Sequence, residues 1–249
     1  MHGETVGRLG ILRLNKEHRF NTLSPSFAHE VGRGIGSFYE DRLTKAIYVA
    51  PAQGKQWCNG TDFRTMLAMK KEESYDRLAD YLQQLYQLQT QVAKTNKPII
   101  AAAPGHAFNS GATLLATCGY PLMTADSKMA FNECTFGFVP HSGATYYLSR
   151  LPNEFGTFLA LTGLPIHGTD AAKLKLVESV LQTTAYQDEK IADIVYSIGY
   201  DPREYFNFMR TYEEFKDDLG IDGHRINNIK TRAERNAYMD SHIGRKAAL

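Results

Sequence analysis

Apolar residues recur along the chain in two spacings, which predict strands alternating with helices. The segment "GRLGILRLN" (7–15) alternates well enough to be a strand, and the β-branched, apolar "TKAIYVAPA" (44–52) predicts a second one. The continuous apolar run "IIAAA" (99–103) is typical of a strand buried on both faces. A further strand is predicted for "SKMAFNE" (127–133).

Helical spacing separates these predicted strands. After the first strand, Ser24 is a candidate helix cap with Pro25 at the first helical position, and apolar residues follow on one face. The clearest helix spans residues 74–94, where leucines recur at steps of three and four. Residues 142–163 predict another helical run, broken near Pro152. This order of strands and helices is the βαβ pattern of a parallel sheet and predicts an α/β fold.

The amino-acid composition changes near residue 200. We predict a main domain over residues 1–200 and a C-terminal helical or extended arm over residues 201–249, which is rich in charge and poor in aliphatic residues. The arm keeps six aromatic residues: Tyr205, Phe206, Phe208, Tyr212, Phe215 and Tyr238. Aromatic anchors on a polar segment indicate docking on a partner. The alternative is a helical layer packed on the chain's own domain.

Composition narrows the classes of function. The 28 basic residues nearly balance the 27 acidic ones. The chain therefore has no large net positive charge that would attract nucleic acid or an anionic membrane. The three cysteines lack CxxC spacing and fit packed thiols in a reducing compartment. No apolar stretch approaches the roughly 20 residues of a transmembrane helix, and the N-terminal residues do not resemble a targeting peptide. We therefore expect either a cytosolic chain or one whose presequence has been removed.

Two glycine-containing turns follow predicted strands and could expose backbone N–H groups. In "WCNGTDF" the turn at Gly60 leads to the amide of Thr61, and in "HAFNSGAT" the turn around Ser110 presents the amide of Gly111. If the sheet sets these strand ends side by side, both amides can face one carbonyl oxygen, as in an oxyanion hole. Each turn alone is common in proteins, whereas the pair is more informative.

At this point the chain resembles the crotonase (enoyl-CoA hydratase/isomerase) superfamily over roughly residues 7–180. The similar stretches are "LGILRLNKEHRFNTLS", "GKQWCNGTDFRTM", "NKPIIAAAPGHAFNSGATLLATC", "MAFNECTFGFVPHSGATYYLSRL" and "FLALTGLPIHGTDAAKLKLV". The last three are most similar to the 3-hydroxyisobutyryl-CoA hydrolase branch. The resemblance implies a spiral of ββα units, assembled as trimers or pairs of trimers, that binds an acyl-CoA and stabilises a thioester enolate or tetrahedral oxyanion.

The resemblance also implies roles for particular residues. Thr61 and Gly111 would supply the two oxyanion amides. Four residues would line the entrance for coenzyme A: Trp57, Cys58, Asn59 and Gly60. No permanently bound cofactor or metal is implied, since the CoA thioester would be a substrate or ligand.

The chain departs from the family pattern where hydratases carry two glutamates. The first position is Thr113, whose hydroxyl cannot act as a base near neutral pH, so hydration by two carboxylates is not expected. The second position is kept as Glu133. In an apolar pocket its pKa would rise, which suits a general acid or base. The alternative is a helix-capping or salt-bridged acid.

Other departures affect the same region. The hydrolase branch has an aspartate where this chain has His141, which is either a replacement base or a surface or interface imidazole. Asn109 and Ser110 stand where two glycines are usual, and their side chains would narrow the passage for the thioester. Apart from these, four residues are expected in the core rather than in an acyl pocket: Met66, Met69, Phe136 and Phe138.

Two functions are compatible with these residues. The first is a crotonase-fold protein that has lost hydratase chemistry and serves as a non-catalytic or weakly active subunit of a mitochondrial assembly. Its partners would be related crotonase-fold chains or other subunits, with trimer-type contacts. The second is an active enoyl-CoA isomerase or 3-hydroxyacyl-CoA hydrolase that uses Glu133 alone, with Thr61 and Gly111 as its oxyanion hole. The departures at the catalytic positions favour the first function.

Overall fold

A computed structural model describes residues 2–6, 8–52 and 56–181. The predicted arm (201–249), with its aromatic residues, lies outside the described residues. Within the described ranges, no helix is both long enough and apolar enough to cross a bilayer.

Strands numbered in chain order form two sheets. The larger sheet has the order β1-β2-β3-β5-β7-β10 and is parallel except for the β1–β2 pair. Its strands are β1 (His2–Val6), β2 (Leu9–Leu14), β3 (Ala46–Pro51), β5 (Ile99–Ala103), β7 (Tyr120–Thr124) and β10 (Ser179–Leu181). The smaller sheet has the order β4-β6-β8-β9, with only its β8–β9 pair antiparallel. Its strands are β4 (Gln56–Cys58), β6 (His106–Phe108), β8 (Lys128–Ala130) and β9 (Ile166–His167).

Seven α-helices and two 3₁₀ helices connect the described strands. The α-helices are α1 (Pro25–Glu40), α2 (Phe63–Lys71), α3 (Tyr75–Lys94), α4 (Ser110–Thr117), α5 (Ala144–Leu148), α6 (Phe155–Thr162) and α7 (Gly168–Lys173). The 3₁₀ helices cover Glu17–Arg19 and Glu133–Phe136.

The order of the elements produces a spiral. Strands β3, β5 and β7 lie side by side in the larger sheet, and each is followed by the next strand of the smaller sheet, β4, β6 or β8. Helical residues follow each pair, so every turn of the spiral is a ββα unit. The predicted α/β fold and the predicted crotonase-type spiral are therefore confirmed. Because the turns stack in register, the ends of β4, β6 and β8 meet at one edge of the smaller sheet.

The predicted helices form where their caps and apolar spacing indicate. Ser24 caps α1 by accepting a hydrogen bond from the Phe27 amide, and Pro25 opens the helix. Helix α3 begins and ends within one residue of its prediction. The run over 142–163 is broken as expected, into α5 and α6. The larger sheet and the apolar faces of α1 and α3 form one buried core.

Two predictions differ from the structure. The strand predicted for 127–133 is β8 alone, because Glu133 begins a 3₁₀ helix. Met66 and Met69 are buried in the core as predicted, and Phe138 packs against it while partly buried. Phe136, however, is 57% exposed, so its assignment to the core is wrong. Its ring stacks on Phe63 with 4.7 Å between the ring centroids.

Candidate functional site

The two glycine turns of the sequence lie against each other. Strands β4 and β6 pair in parallel, with Cys58 opposite Ala107, so the turns that follow them are neighbours. A Cβ atom on Gly60 would lie 2.7 Å from the Gly111 nitrogen, and a Cβ on Gly111 would lie 2.4 Å from the Cys58 carbonyl oxygen. Gly60 also has a positive φ of 74°. Glycine is therefore required at both positions, because a side chain would push the turns apart.

The side chain of Asn109 bonds to one of the predicted oxyanion amides. The Thr61 N–H donates to the Asn109 Oδ1 atom at 3.2 Å. On its other side, Asn109 Nδ2 donates to Asn132 Oδ1 at 3.1 Å. The Gly111 N–H is bonded to no acceptor within the described residues. One amide of the pair is thus satisfied by a side chain of the protein, and the other lacks a partner in the part of the chain that the structure describes.

Thr61 is also held through its hydroxyl group. Its Oγ1 atom lies 2.9 Å from Ser110 Oγ and 3.0 Å from His141 Nε2. The second imidazole nitrogen, His141 Nδ1, lies 2.8 Å from Ser142 Oγ. Burial lowers the pKa of His141 to about 4, so the ring is neutral near pH 7. The expectation of a surface imidazole is wrong, because His141 is buried and tied to the oxyanion turn.

Glu133 is a buried carboxyl without a partner. The residue is 0% exposed, and neither carboxyl oxygen has a hydrogen-bond partner within the described residues. Burial is the largest influence and raises the pKa of Glu133 to about 7, while the backbone N–H groups of Glu133 and His141 act in the opposite direction. Glu133 forms no ion pair within the described residues, so the alternative of a salt-bridged acid is wrong. The hydroxyl of Thr113 is likewise buried and unpaired within the described residues.

A cleft of about 730 Å³ opens beside the two turns. Its lining includes Thr61, Asn109 and Asn132, whereas Gly111, Glu133 and His141 do not line it. Four phenylalanines and three basic residues contribute to its wall: Phe20, Phe63, Phe108, Phe136, His18, Arg19 and Arg64. The sequence did not single out His18, Arg19, Arg64 or Asn132 as site residues. Asn132 could have been found from its place directly before Glu133.

The residues predicted for the cleft entrance divide into two groups. Asn59 lines the cleft. Trp57 and Cys58 are fully buried, so their side chains support the turns from behind. Trp57 Nε1 donates to the Gly111 carbonyl at 3.0 Å, and the Gly60 N–H donates to Cys58 Sγ at 3.2 Å. Burial raises the pKa of Cys58 to about 12, so it is a packed thiol, as the composition predicts.

Helix α3 fixes the start of α2 at the cleft. The Asp62 side chain caps α2 by accepting a hydrogen bond from the Thr65 amide, and it pairs with Arg19 at 3.8 Å. Tyr81 of α3 donates its hydroxyl proton to the Leu23 carbonyl and accepts from the Asp62 amide at 2.8 Å. Two neighbouring segments of the site are therefore held by one buried hydroxyl.

Comparison with known sequences places this geometry in context. The family described as Enoyl-CoA hydratase/isomerase matches residues 9–214. The chain is 29% identical over 169 residues to the mitochondrial 3-hydroxyisobutyryl-CoA hydrolase of Xenopus tropicalis, covering 68% of this chain and 43% of that protein. It is 29% identical over 189 residues to a probable enoyl-CoA hydratase of Rhizobium meliloti (strain 1021), covering 76% of this chain and 71% of that protein. The chain thus spans about half the length of the curated hydrolases that it matches.

Solved structures share the fold. An enoyl-CoA hydratase from Polaromonas sp. JS666 superposes with a TM-score of 0.72 at 17% identity, covering 98% of this chain and 90% of the other. The human enoyl Coenzyme A hydratase domain-containing protein 3 gives a TM-score of 0.72 at 18% identity, covering 96% of both chains. At these identities the likeness concerns the fold alone.

Proposed function

Because the chain belongs to the enoyl-CoA hydratase/isomerase family, we propose that it binds a CoA thioester but has lost hydratase chemistry and serves as a non-catalytic or weakly active subunit. The observation that carries this proposal is the position of Glu133. Its carboxyl group is sealed from the cleft, and Thr113 stands where the resemblance implies a second glutamate.

Hydration of a double bond needs a base to activate water and an acid to protonate carbon. Asp62, the carboxylate that lines the cleft, is committed to the cap of α2 and to Arg19. His141 does not replace a carboxylate, because burial lowers its pKa to about 4 and both ring nitrogens have hydroxyl partners. These commitments support loss of the two-group mechanism.

The lining of the cleft supports CoA as the ligand class. CoA combines anionic phosphates with an aromatic adenine ring, and the wall offers cationic groups next to phenylalanine rings. Arg19 is 64% exposed at its side chain, so it can reach a phosphate without losing a buried position. The thioester carbonyl would then point towards the Thr61 and Gly111 amides.

Exposed apolar residues support the role as a subunit. Six of them lie between the last residue of the second 3₁₀ helix and the start of β9: Phe136, Val139, Phe155, Phe158, Leu161 and Leu164. We call this set the α6 surface. Large exposed apolar patches mark contacts with other proteins. The proposed partners are related crotonase-fold chains in trimer-type contacts, or other subunits of an assembly that the arm (201–249) also engages. A mitochondrial location is supported by the names of the Xenopus tropicalis and Mus musculus relatives.

One observation favours the second candidate, an enzyme that uses Glu133 alone. A buried carboxyl without a hydrogen bond is costly, and a pKa of about 7 suits a group that takes and returns a proton near neutral pH. If the cleft opened towards Glu133, the residue could move a proton between two carbons of a bound enoyl-CoA. It could equally activate water against a 3-hydroxyacyl-CoA.

Turnover assays separate the two candidates. The purified chain is incubated with short enoyl-CoA and 3-hydroxyacyl-CoA thioesters, and isomerised, hydrated and hydrolysed products are quantified. The non-catalytic proposal expects no product above background. Turnover on the order of 1 per second or more, abolished by Glu133→Gln, would establish the enzyme instead.

A further inference from the structure

Asn109 is built into the site by contacts at both ends of its carboxamide. The side chain bridges the Thr61 amide and Asn132 Oδ1, at 3.2 and 3.1 Å, and the residue is only 3% exposed. Its own backbone N–H donates to the Ala130 carbonyl at 2.8 Å, which ties it to β8. The carboxamide is therefore fixed in place and is not a mobile surface group.

The backbone of Asn109 has an unusual conformation. Its φ of 40° and ψ of −126° lie in a region that glycine adopts readily and other residues seldom do. The Asn109 carbonyl nevertheless accepts bonds from the Ala112 and Thr113 amides, which begin α4. The turn is thus held in this conformation from both sides. A side chain that starts from this backbone is directed at the Thr61 amide.

The bound oxygen of Asn109 is chemically close to a thioester carbonyl oxygen. Both are neutral sp² acceptors, and both require a donor N–H within about 3 Å. A Cβ on Gly60 would lie 2.7 Å from the Asn109 Oδ1 atom and 2.7 Å from the Gly111 nitrogen, so the oxygen and the free amide border the same point. A ligand oxygen that uses both amides must take the place of Asn109 Oδ1.

We propose that Asn109 is a specificity-determining residue that competes with the thioester carbonyl for the Thr61 amide. This proposal rests on the proposed binding of CoA thioesters. Binding of a thioester must break the hydrogen bond from the Thr61 amide to Asn109 and strain the bond of Asn109 to Asn132. This loss of hydrogen bonding weakens the binding of ligands that carry the carbonyl group. It does not affect ligands that lack the carbonyl group. The chain therefore discriminates weakly between a CoA thioester and the corresponding thioether.

The test compares two ligands that differ only in this carbonyl group. Binding of butyryl-CoA and of S-butyl-CoA is measured by isothermal titration calorimetry for the full chain and for Asn109→Gly. The glycine variant should bind butyryl-CoA about tenfold more tightly, since a well-placed hydrogen bond contributes about that factor. Its affinity for S-butyl-CoA should stay within about twofold of the unchanged chain, because the CoA contacts are the same.

Two control variants isolate the effect. Asn153→Gly makes the same chemical change at an exposed residue with a φ of 50°, and it should alter neither affinity. Asn109→Asp keeps an acceptor for the Thr61 amide, so it should show no gain for butyryl-CoA. Glycine suits the backbone angles of residue 109, so Asn109→Gly is expected to fold, and a circular dichroism spectrum matching that of the unchanged chain is the check.

The outcomes separate this proposal from the proposed function. Binding of S-butyl-CoA by the unchanged chain supports the CoA site regardless of Asn109. If Asn109→Gly then binds butyryl-CoA no more tightly than the unchanged chain does, competition by Asn109 is refuted while CoA binding stands. If neither ligand binds any variant, the proposed function fails and the role of Asn109 fails with it.

Discussion

Glu133 and His141 are buried ionisable residues whose pKa values shift in opposite directions. The folded chain holds the Glu133 proton up to about pH 7, whereas an unfolded carboxyl loses it near 4.5. Between these values the folded state binds more protons, so the free energy of unfolding falls as pH rises. His141 has a pKa of about 4 in the folded chain against an ordinary 6.5. Its contribution to the free energy of unfolding therefore rises with pH. The two contributions oppose each other from about pH 4.5 to 6.5.

Single substitutions should expose each contribution. In Glu133→Gln the free energy of unfolding should rise between pH 4 and 6.5, and at pH 8 it should exceed that of the unchanged chain by up to about 3 kcal/mol. In His141→Gln it should fall from pH 4.5 to 7. Urea denaturation at closely spaced pH values measures both profiles. A Glu133→Gln profile parallel to that of the unchanged chain would show that folding does not raise the pKa of Glu133.

At the scale of residues, the sequence indicated which groups matter but not how they are bonded. Gly111 could be placed from its glycine-containing turn, whereas Thr113 and Glu133 could be placed only because the resemblance to the crotonase superfamily aligns them with its two glutamate positions. The bond between Asn109 and Thr61 depends on the backbone angles of residue 109, and no spacing rule encodes these angles. The burial of His141 likewise depends on packing by residues distant in sequence, such as Tyr86 on α3.

At the scale of elements, a helix or strand could be predicted from the sequence when it was long and had a regular pattern of apolar residues. Helices α1 and α3 could be predicted because each contains several turns with a consistent apolar face and a recognisable cap or stop. In the smaller sheet only β8 could be predicted, since the strands have two or three residues and show no alternation. Phe136 was misassigned for a related reason, because its short 3₁₀ helix has no periodic face.

Tyr81 gives a prediction at this scale, since one side chain of α3 secures both the segment before α1 and the start of α2. Tyr81→Phe removes the hydroxyl and leaves the Leu23 carbonyl and the Asp62 amide without that partner. The free energy of unfolding should fall by about 1–3 kcal/mol. Tyr86→Phe on the same helix is the control, because Tyr86 is 44% exposed whereas Tyr81 is buried. Equal effects of the two substitutions in urea denaturation would contradict this role for Tyr81.

At the scale of the whole molecule, the α6 surface makes the proposed assembly testable. Leu161 is 74% exposed on this surface, and Leu43, on the loop after α1, is 71% exposed. Leu161→Asp should shift the chain towards smaller species in sedimentation velocity, because it buries a charge in the contact. Leu43→Asp should leave the distribution unchanged. An unchanged distribution in both variants would exclude the α6 surface as the site of self-association.

Trp57 is a natural fluorescent probe of the buried contacts behind the turns. It is the sole tryptophan of the chain, it is fully buried, and its indole N–H is bonded to the Gly111 carbonyl. Any rearrangement of that peptide group alters the polarity around the indole ring. The protein therefore carries an intrinsic fluorophore, and its emission wavelength can report without a label when a ligand disturbs the Gly111 turn.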